Sequence, residues 1–344
     1  MERVIRLLVL TAVCLSLAVI PASADEMKPG KGVTVKPARA TWNTGFFQEA
    51  LVRRALEELG YDCKTPKDLQ NPIFYKSVAL GDVDYWANGW FPLHNAQLPK
   101  NFDEDAGMYG YVAKAGGLQG YLVSKRDVEK FGIKSLDDFK RDEVKEAFDT
   151  NGDGKADLTA CPPGWGCEKA IAHHMKAYDL GDSINLIKAS YEAGMASMIA
   201  EYKGGGPAFF YTWTPNWTVY KLKPGEDVMW INVPEIMPSE AQKGSEDRMV
   251  IKGVEGAVSD PLKMGFVVND IRIVANKKFA ENNPAAKKFF EVFSLPLEDI
   301  NAQNTRMNEG EKSEKDIAKH VDEWISKNKE TWDGWLAEAR KAAK

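Results

Sequence analysis

The chain is predicted to be an α/β protein of two lobes with a cleft between them. Three observations carry that prediction. Strand-like and helical segments alternate from residue 32 onward, the mark of helices layered on a largely parallel sheet. The pattern has two crossings, near 121–124 and 266–271, and no low-complexity linker marks a single boundary. Beyond the first 24 residues, about 320 of the 344 remain, enough for a large core and for two domains. The division that follows puts 25–122 and 271–344 in lobe 1 and 123–270 in lobe 2. Clefts between domains are favoured places for small ligands.

Taken in order, the N-terminus comes first. Arg3 and Arg6 precede an uncharged apolar run, Leu7 to Ile20, and Pro21-Ala-Ser-Ala24 supplies an Ala-x-Ala cleavage signal. Residues 1–24 therefore read as a secretory signal peptide rather than a spanning helix. Cys14 follows Val13, where a lipidation signal wants a small residue. No later apolar run approaches the ~18 residues that a membrane span needs. Removal of Glu2, Arg3 and Arg6 moves the formal net charge from −5 to −6. A mildly acidic chain with mixed charges carries no footprint for nucleic acid or anionic membrane.

Gly32 to Pro37 reads as a strand, and Thr41 to Asn43 as a turn that caps a helix. Phe47, Leu51, Ala55, Leu56 and Leu59 then recur at helical spacing, with Gly60 as the stop. A strand at 61–63, a helix at 75–80 and a strand at 83–87 follow. The pattern resumes at Gly120 to Val123 and returns at Ile271 to Ala275. It closes in helical segments, Asn282 to Phe293 and Glu314 to Ala343. Pro234 to Lys263 has weak periodicity and exceeds ordinary loop lengths, which makes it mobile or part of recognition.

The most informative stretch is Cys161-Pro-Pro-Gly-Trp-Gly-Cys167, which runs into a helical segment at Glu168. Three cysteines remain after the leader, and in an oxidising compartment Cys161 and Cys167 are the natural bridge, with Cys63 a free buried thiol. Chain entropy assigns so short a loop roughly 2 kcal/mol, so the bridge shapes the loop more than it holds the fold. It sets Trp165 at a helix N-terminus, where free N–H groups and the dipole favour an anion. An aromatic face beside an anion site suits a small zwitterion.

Two further aromatic clusters, Asp84 to His94 and Phe209 to Trp217, place tryptophans where a strand runs into a proline turn. Their reading as packing stands beside that of a cage for a quaternary ammonium. At ~0.5–2 kcal/mol per ring, such a cage leaves much of the ~8 kcal/mol of micromolar binding to an anchored carboxylate. His94 is a candidate carboxylate donor or a surface turn residue. Nothing near it offers a second ligand at zinc spacing. His173, His174 and His320 read as structural.

Asp149, Asn151, Asp153, Lys155 and Asp157 occupy positions 1, 3, 5, 7 and 9 of a calcium-loop pattern with Gly154 at position 6. Ala160 stands where the bidentate glutamate belongs, so a structural calcium and an ion-free Asx-turn are both open. No nucleophile elbow, phosphate loop or zinc-protease motif assembles, and no cofactor is required.

Phe148-Asp-Thr-Asn-Gly-Asp-Gly-Lys-Ala-Asp-Leu-Thr159, followed by Cys161-x-Pro-Gly-Trp-Gly-Cys-Glu168, resembles the glycine betaine/proline betaine-binding periplasmic proteins of osmoprotectant ABC importers. Similar matches run through Trp90-x-Pro-Leu-His94, Tyr211-Thr-Trp-Thr-Pro-x-Trp217, Ile273 to Lys277, Asn301-Ala-Gln-Asn304, His320 to Trp324 and Asp333-Gly-Trp335. They span nearly the whole mature chain. The resemblance implies a two-lobed, type II-like periplasmic binding fold that closes over its ligand and is not an enzyme. It implies a cation box of Trp90, Trp165 and Trp213. It gives the ligand carboxylate to His94 and the Gly166 and Cys167 N–H groups, with Trp217 left to packing. The implied setting is a periplasmic monomer that delivers a betaine to an inner-membrane permease with a cytoplasmic ATPase. Trp42, Trp86, Gly89 and the 234–263 stretch depart from the resemblance and bear on the pocket rim. Glycine betaine is the first ligand implied; proline betaine, dimethylsulfoniopropionate, carnitine and choline compete within the fold. A secreted calcium-dependent glycan-binding protein or hydrolase is the alternative of another class.

Overall fold

The computed structural model describes residues 27–344. The expected signal peptide, 1–24, lies outside the described residues. Among the described residues no helix is long and apolar enough to cross a membrane.

One long strand, Ala106–Ser124, organises the molecule. Its first half pairs with Asn269–Asn276, which pairs in turn with Tyr85–Phe91. Its second half pairs on one side with Phe209–Thr214 and on the other with Val228–Ile231. Ala156–Thr159 and then Ile184–Ile187 extend the sheet beyond Phe209–Thr214. The α/β class holds, but the sheet is mixed rather than largely parallel. Every partner of the long strand runs antiparallel to it. Strand–helix alternation predicts parallel pairing only within a crossover unit. Such a unit is present where Ala156–Thr159 and Ile184–Ile187, parallel neighbours, are joined through the helix Gly166–Ala177.

The first long helix forms where the periodicity places it, Thr44–Glu58, with Phe47, Leu51, Ala55 and Leu56 buried. The next helix begins earlier than expected, Asn71–Leu80, because Pro72 fits the first turn of a helix, where its missing N–H costs nothing. The C-terminal run is two helices, Glu314–Lys327 and Lys329–Ala342, the first opened by a capping box of Ser313 and Asp316. Trp324 and Trp335, one from each, stack with ring centroids 5.9 Å apart. The 234–263 stretch is tied down: Tyr178 donates to the Glu235 carbonyl at 2.7 Å, and Met249 and Leu262 are buried.

Candidate functional site

Trp90 and Trp213 are each the next-to-last residue of a sheet strand, Tyr85–Phe91 and Phe209–Thr214. Trp165 is the N-cap of the helix Gly166–Ala177, directly behind the Cys161–Cys167 disulfide, whose Cα atoms lie 5.9 Å apart. These three rings, His94, Gly166 and Cys167 all line one cavity. Trp42, Asn71, Gln119 and Tyr211 line it too. No described residue lining the cavity is an acid or a permanent cation.

The rings pack by their edges, Trp165 against Trp213 at 5.6 Å and 77°. Tyr191 backs both, at 5.9 and 4.6 Å. Each indole N–H is bonded to the protein: Trp90 donates to Asn88 Oδ1 at 2.9 Å, Trp165 to Thr41 Oγ1 at 3.0 Å and Trp213 to Thr44 Oγ1 at 3.4 Å. With their polar edges engaged, the indoles present carbon and π surface to the cavity. Such surface attracts a cation that cannot donate hydrogen bonds.

The opposite end is built of donors. Gly166 and Cys167 open a helix, so their N–H groups have no intrahelical acceptor. A side chain at Gly166 would put a Cβ 2.9 Å from His94 Cδ2, so only glycine lets the helix end approach the imidazole. Glu168, in the same first turn, is turned back to accept from the Gly164 N–H at 2.8 Å, which lowers its pKa.

His94 is buried, not a surface turn residue. Its Nδ1 lies 3.2 Å from the Trp90 N–H and 2.6 Å from the Tyr75 hydroxyl. An N–H donor facing Nδ1 assigns the ring proton to Nε2. Nε2 sits 2.9 Å from the Asn71 side-chain amide, which also bonds Gln97 Oε1 at 2.8 Å. Burial pushes the imidazole pKa down to about 3, so the ring is a neutral donor.

Comparison with known proteins bears directly on this geometry. Residues 33–327 match the model of the substrate-binding domain of ABC-type glycine betaine transport systems. The chain belongs to this family. It is 46% identical over 323 residues to the glycine betaine-binding periplasmic protein OusX of Dickeya dadantii, covering 94% of each chain. It is 42% identical over 317 residues to the glycine betaine/proline betaine-binding periplasmic protein of Escherichia coli, covering 92% of this chain and 93% of that one. Among solved structures, lactococcal OpuAC in its closed conformation with glycine betaine superposes with a TM-score of 0.66 at 20% identity, over 88% of this chain and 99% of that one. A choline-binding protein of an ABC transporter in complex with choline gives 0.66 at 17%, over 90% and 96%. At those identities the likeness is one of fold: the chain has the two-lobed periplasmic binding architecture.

The structure gives the calcium expectation no support and favours the ion-free Asx-turn. Among the described residues no group of three or more His, Cys, Asp or Glu side chains is placed to hold a metal. The oxygens are already engaged. Asp149 accepts from the N–H groups of Gly152, Asp153 and Gly154, and Asp153 from that of Lys155. Asn151 Oδ1 accepts from the Asp153 N–H, while its amide donates to Asp157. Lys155 points away, to the Gly181 carbonyl. The loop is a set of Asx-turns held by its own backbone N–H groups.

The remaining histidines are structural. His174 is buried between the Tyr121 hydroxyl at 2.8 Å and the Gly265 carbonyl at 3.1 Å, and His320 lies beside Gln303 and Glu311. Cys63 is a free thiol, as expected, but half-buried rather than buried, and that partial burial raises its pKa to about 12. Trp217 is buried and does not line the cavity. Asn71, Gln119 and Tyr211 on the wall were missed, as were Asn88, Thr41 and Thr44, which hold the rings, and Gly117, where a Cβ would stand 2.6 Å from the Trp90 ring. Asn88 alone had a signal. It shares a strand face with Trp86 and Trp90, two residues away on either side.

Proposed function

We propose that the chain captures glycine betaine in the periplasm and delivers it to an ABC permease driven by a cytoplasmic ATPase. The observation that carries this reading is the cavity's asymmetry. One end is π surface with every indole N–H engaged, and the other holds two helix N–H groups and a neutral imidazole donor. With no formal charge in its lining, the site favours a ligand that is neutral overall and carries opposite charges at its two ends. The rings hold the trimethylammonium group, while Gly166, Cys167 and His94 hold the carboxylate. Binding and release need no catalytic step and no cofactor. The protein acts as a monomer after its signal peptide is removed.

The lobes, 25–122 with 271–344 against 123–270, close over the ligand. Trp90 and His94 come from one, and Trp165, Gly166, Cys167 and Trp213 from the other. Bonds already run between them, Lys169 Nζ to the Ala96 carbonyl at 2.9 Å and Gln97 Nε2 to the Gly164 carbonyl at 3.3 Å.

Calorimetry against glycine betaine, choline and an oligosaccharide tests the reading. Choline keeps the cation but lacks the carboxylate, and it strands the donors in a closed cleft. An unpaired buried donor costs ~1–3 kcal/mol, or roughly ten- to hundredfold in affinity. His94→Ala is expected to weaken betaine binding and leave choline binding as it was. Equal wild-type affinity for betaine and choline would remove the carboxylate site from the account. Binding of the oligosaccharide alone would replace the whole reading with a glycan-binding one.

A further inference from the structure

The cavity has a fourth tryptophan on its wall, and it does not belong to the three-ring box. Trp42 sits in the turn before the helix Thr44–Glu58 and is buried, at 5% exposure. Its ring centroid lies 5.3 Å from that of Trp165, at 61°. Behind it stands Trp86, at 5.5 Å, which is stacked on Phe74 at 4.2 Å. The Trp42 N–H donates to Asn88 Oδ1 at 2.7 Å, the same oxygen that accepts from Trp90 at 2.9 Å. One carbonyl oxygen with two lone pairs thus fixes two indoles side by side. The Asn88 amide is in turn held by Gln48 Oε1, so the oxygen cannot swing away from the rings.

The neighbours of Trp42 in sequence hold the remaining two rings. Thr41 accepts the Trp165 N–H and Thr44 the Trp213 N–H. The turn at 41–44 therefore touches every ring of the box, two through threonine hydroxyls, one through Asn88 and one as Trp42 itself.

We propose that Trp42 is a fourth ring of the cation box, and that it fixes the size of ammonium group the box admits. This inference rests on the betaine reading of the site. Trp42 adds a further indole to the cavity wall beside Trp165, and its backing by Trp86 and Phe74 keeps it from yielding to a larger group. Asn88 acts as a positioning residue: it reaches the ligand only through the two rings that it holds.

The test is titration of wild type, Trp42→Leu, Trp42→Phe and Trp42→Ala with three probes. These are glycine betaine, tetramethylammonium, which reports on the cation end alone, and the triethyl analogue of glycine betaine. Loss of one ring is expected to weaken glycine betaine roughly two- to thirtyfold in the leucine variant, the range of a single cation–π contact. Tetramethylammonium should weaken by a similar factor, because both ligands use the ring through the cation. The phenylalanine variant, which keeps a π face, should fall between leucine and wild type. The alanine variant should gain for the triethyl analogue relative to glycine betaine. Betaine affinity in the leucine variant within twofold of wild type would overturn the proposal. So would a loss seen with glycine betaine but not with tetramethylammonium, or a phenylalanine variant no better than leucine. Failure of the wild-type protein to bind glycine betaine is a different result, and it would reject the betaine reading itself.

Discussion

Two neighbouring segments, Asp149–Asp157 and Cys161–Cys167, both look like ion sites in sequence, and they end differently. The first is rich in carboxylates, yet its oxygens accept from its own backbone and side chains and from one neighbouring strand: Asp149 from three N–H groups, Asp157 from Thr150, Asn151 and, on that strand, Asn185. The second has few polar side chains, yet its Gly166 and Cys167 N–H groups open a helix and line a cavity. What separates a binding site from a well-made turn is polar capacity left unused by the fold. Residue type alone does not record that, because a donor's partner is decided by geometry. The turn still serves the site, since it fixes the start of the strand Ala156–Thr159 that leads into the disulfide loop.

The contrast breaks most visibly if the self-satisfied segment is opened. Asp157 is nearly buried, at 8% exposure, and accepts four hydrogen bonds, from the Thr150 N–H and hydroxyl and from the Asn151 and Asn185 amides. Asp157→Ala strands those donors, and partial access of water limits the cost to about 3 kcal/mol of stability. Chemical denaturation should show a lower midpoint with an unchanged slope. Calcium or a chelator should leave the melting temperature of the wild-type protein where it was. A calcium-dependent melting temperature would put an ion back in the loop.

The second way to sharpen it acts on the segment with capacity to spare. Trp165→Ala removes the ring that caps this helix and packs on Trp213, while the disulfide keeps the loop in place. Glycine betaine binding should weaken by at least ~1 kcal/mol, the scale of a desolvated cation–π contact. Calorimetry on a variant shown to be folded by circular dichroism decides it, and near-wild-type affinity would take Trp165 out of the box.

Much of this architecture was legible before any coordinates. Glycine and cysteine neighbours placed Trp165 at a helix start, whereas the grouping of Trp90, His94, Trp165 and Trp213 was implied by the family resemblance; the four line one cavity. The periodicity of Phe47, Leu51 and Ala55 placed the first helix. The antiparallel order around Ala106–Ser124 was not legible, since local pattern reports that a strand exists and not which neighbour it meets. Thr41 and Thr44 were hidden for the same reason. An ordinary helix-capping turn carries no mark of the indoles that fold onto it, 124 and 169 residues away in sequence.

The smallest expected effect is on pH dependence of binding, and it discriminates between a neutral and a charged His94. In the folded protein burial holds His94 and His174 neutral, each with a pKa lowered to about 3. Unfolded, both return to about 6.5. Between those values the unfolded chain binds more protons, so stability is fully present above pH 6.5 and declines as pH falls toward 3. Glu49 opposes this: burial raises its carboxyl to about 7, so between pH 4.5 and 7 the folded chain holds the extra proton. Two histidines outweigh one carboxylate, and the melting temperature should drop as the buffer is taken from pH 6.5 to 5. Affinity for glycine betaine should behave otherwise. A neutral Nε2–H donor, the helix N–H groups and four rings do not titrate in this range, so the dissociation constant should change less than about twofold between pH 5.5 and 8. Binding that strengthens below pH 6.5, as a forming imidazolium meets the carboxylate, would show that His94 enters the site as a cation.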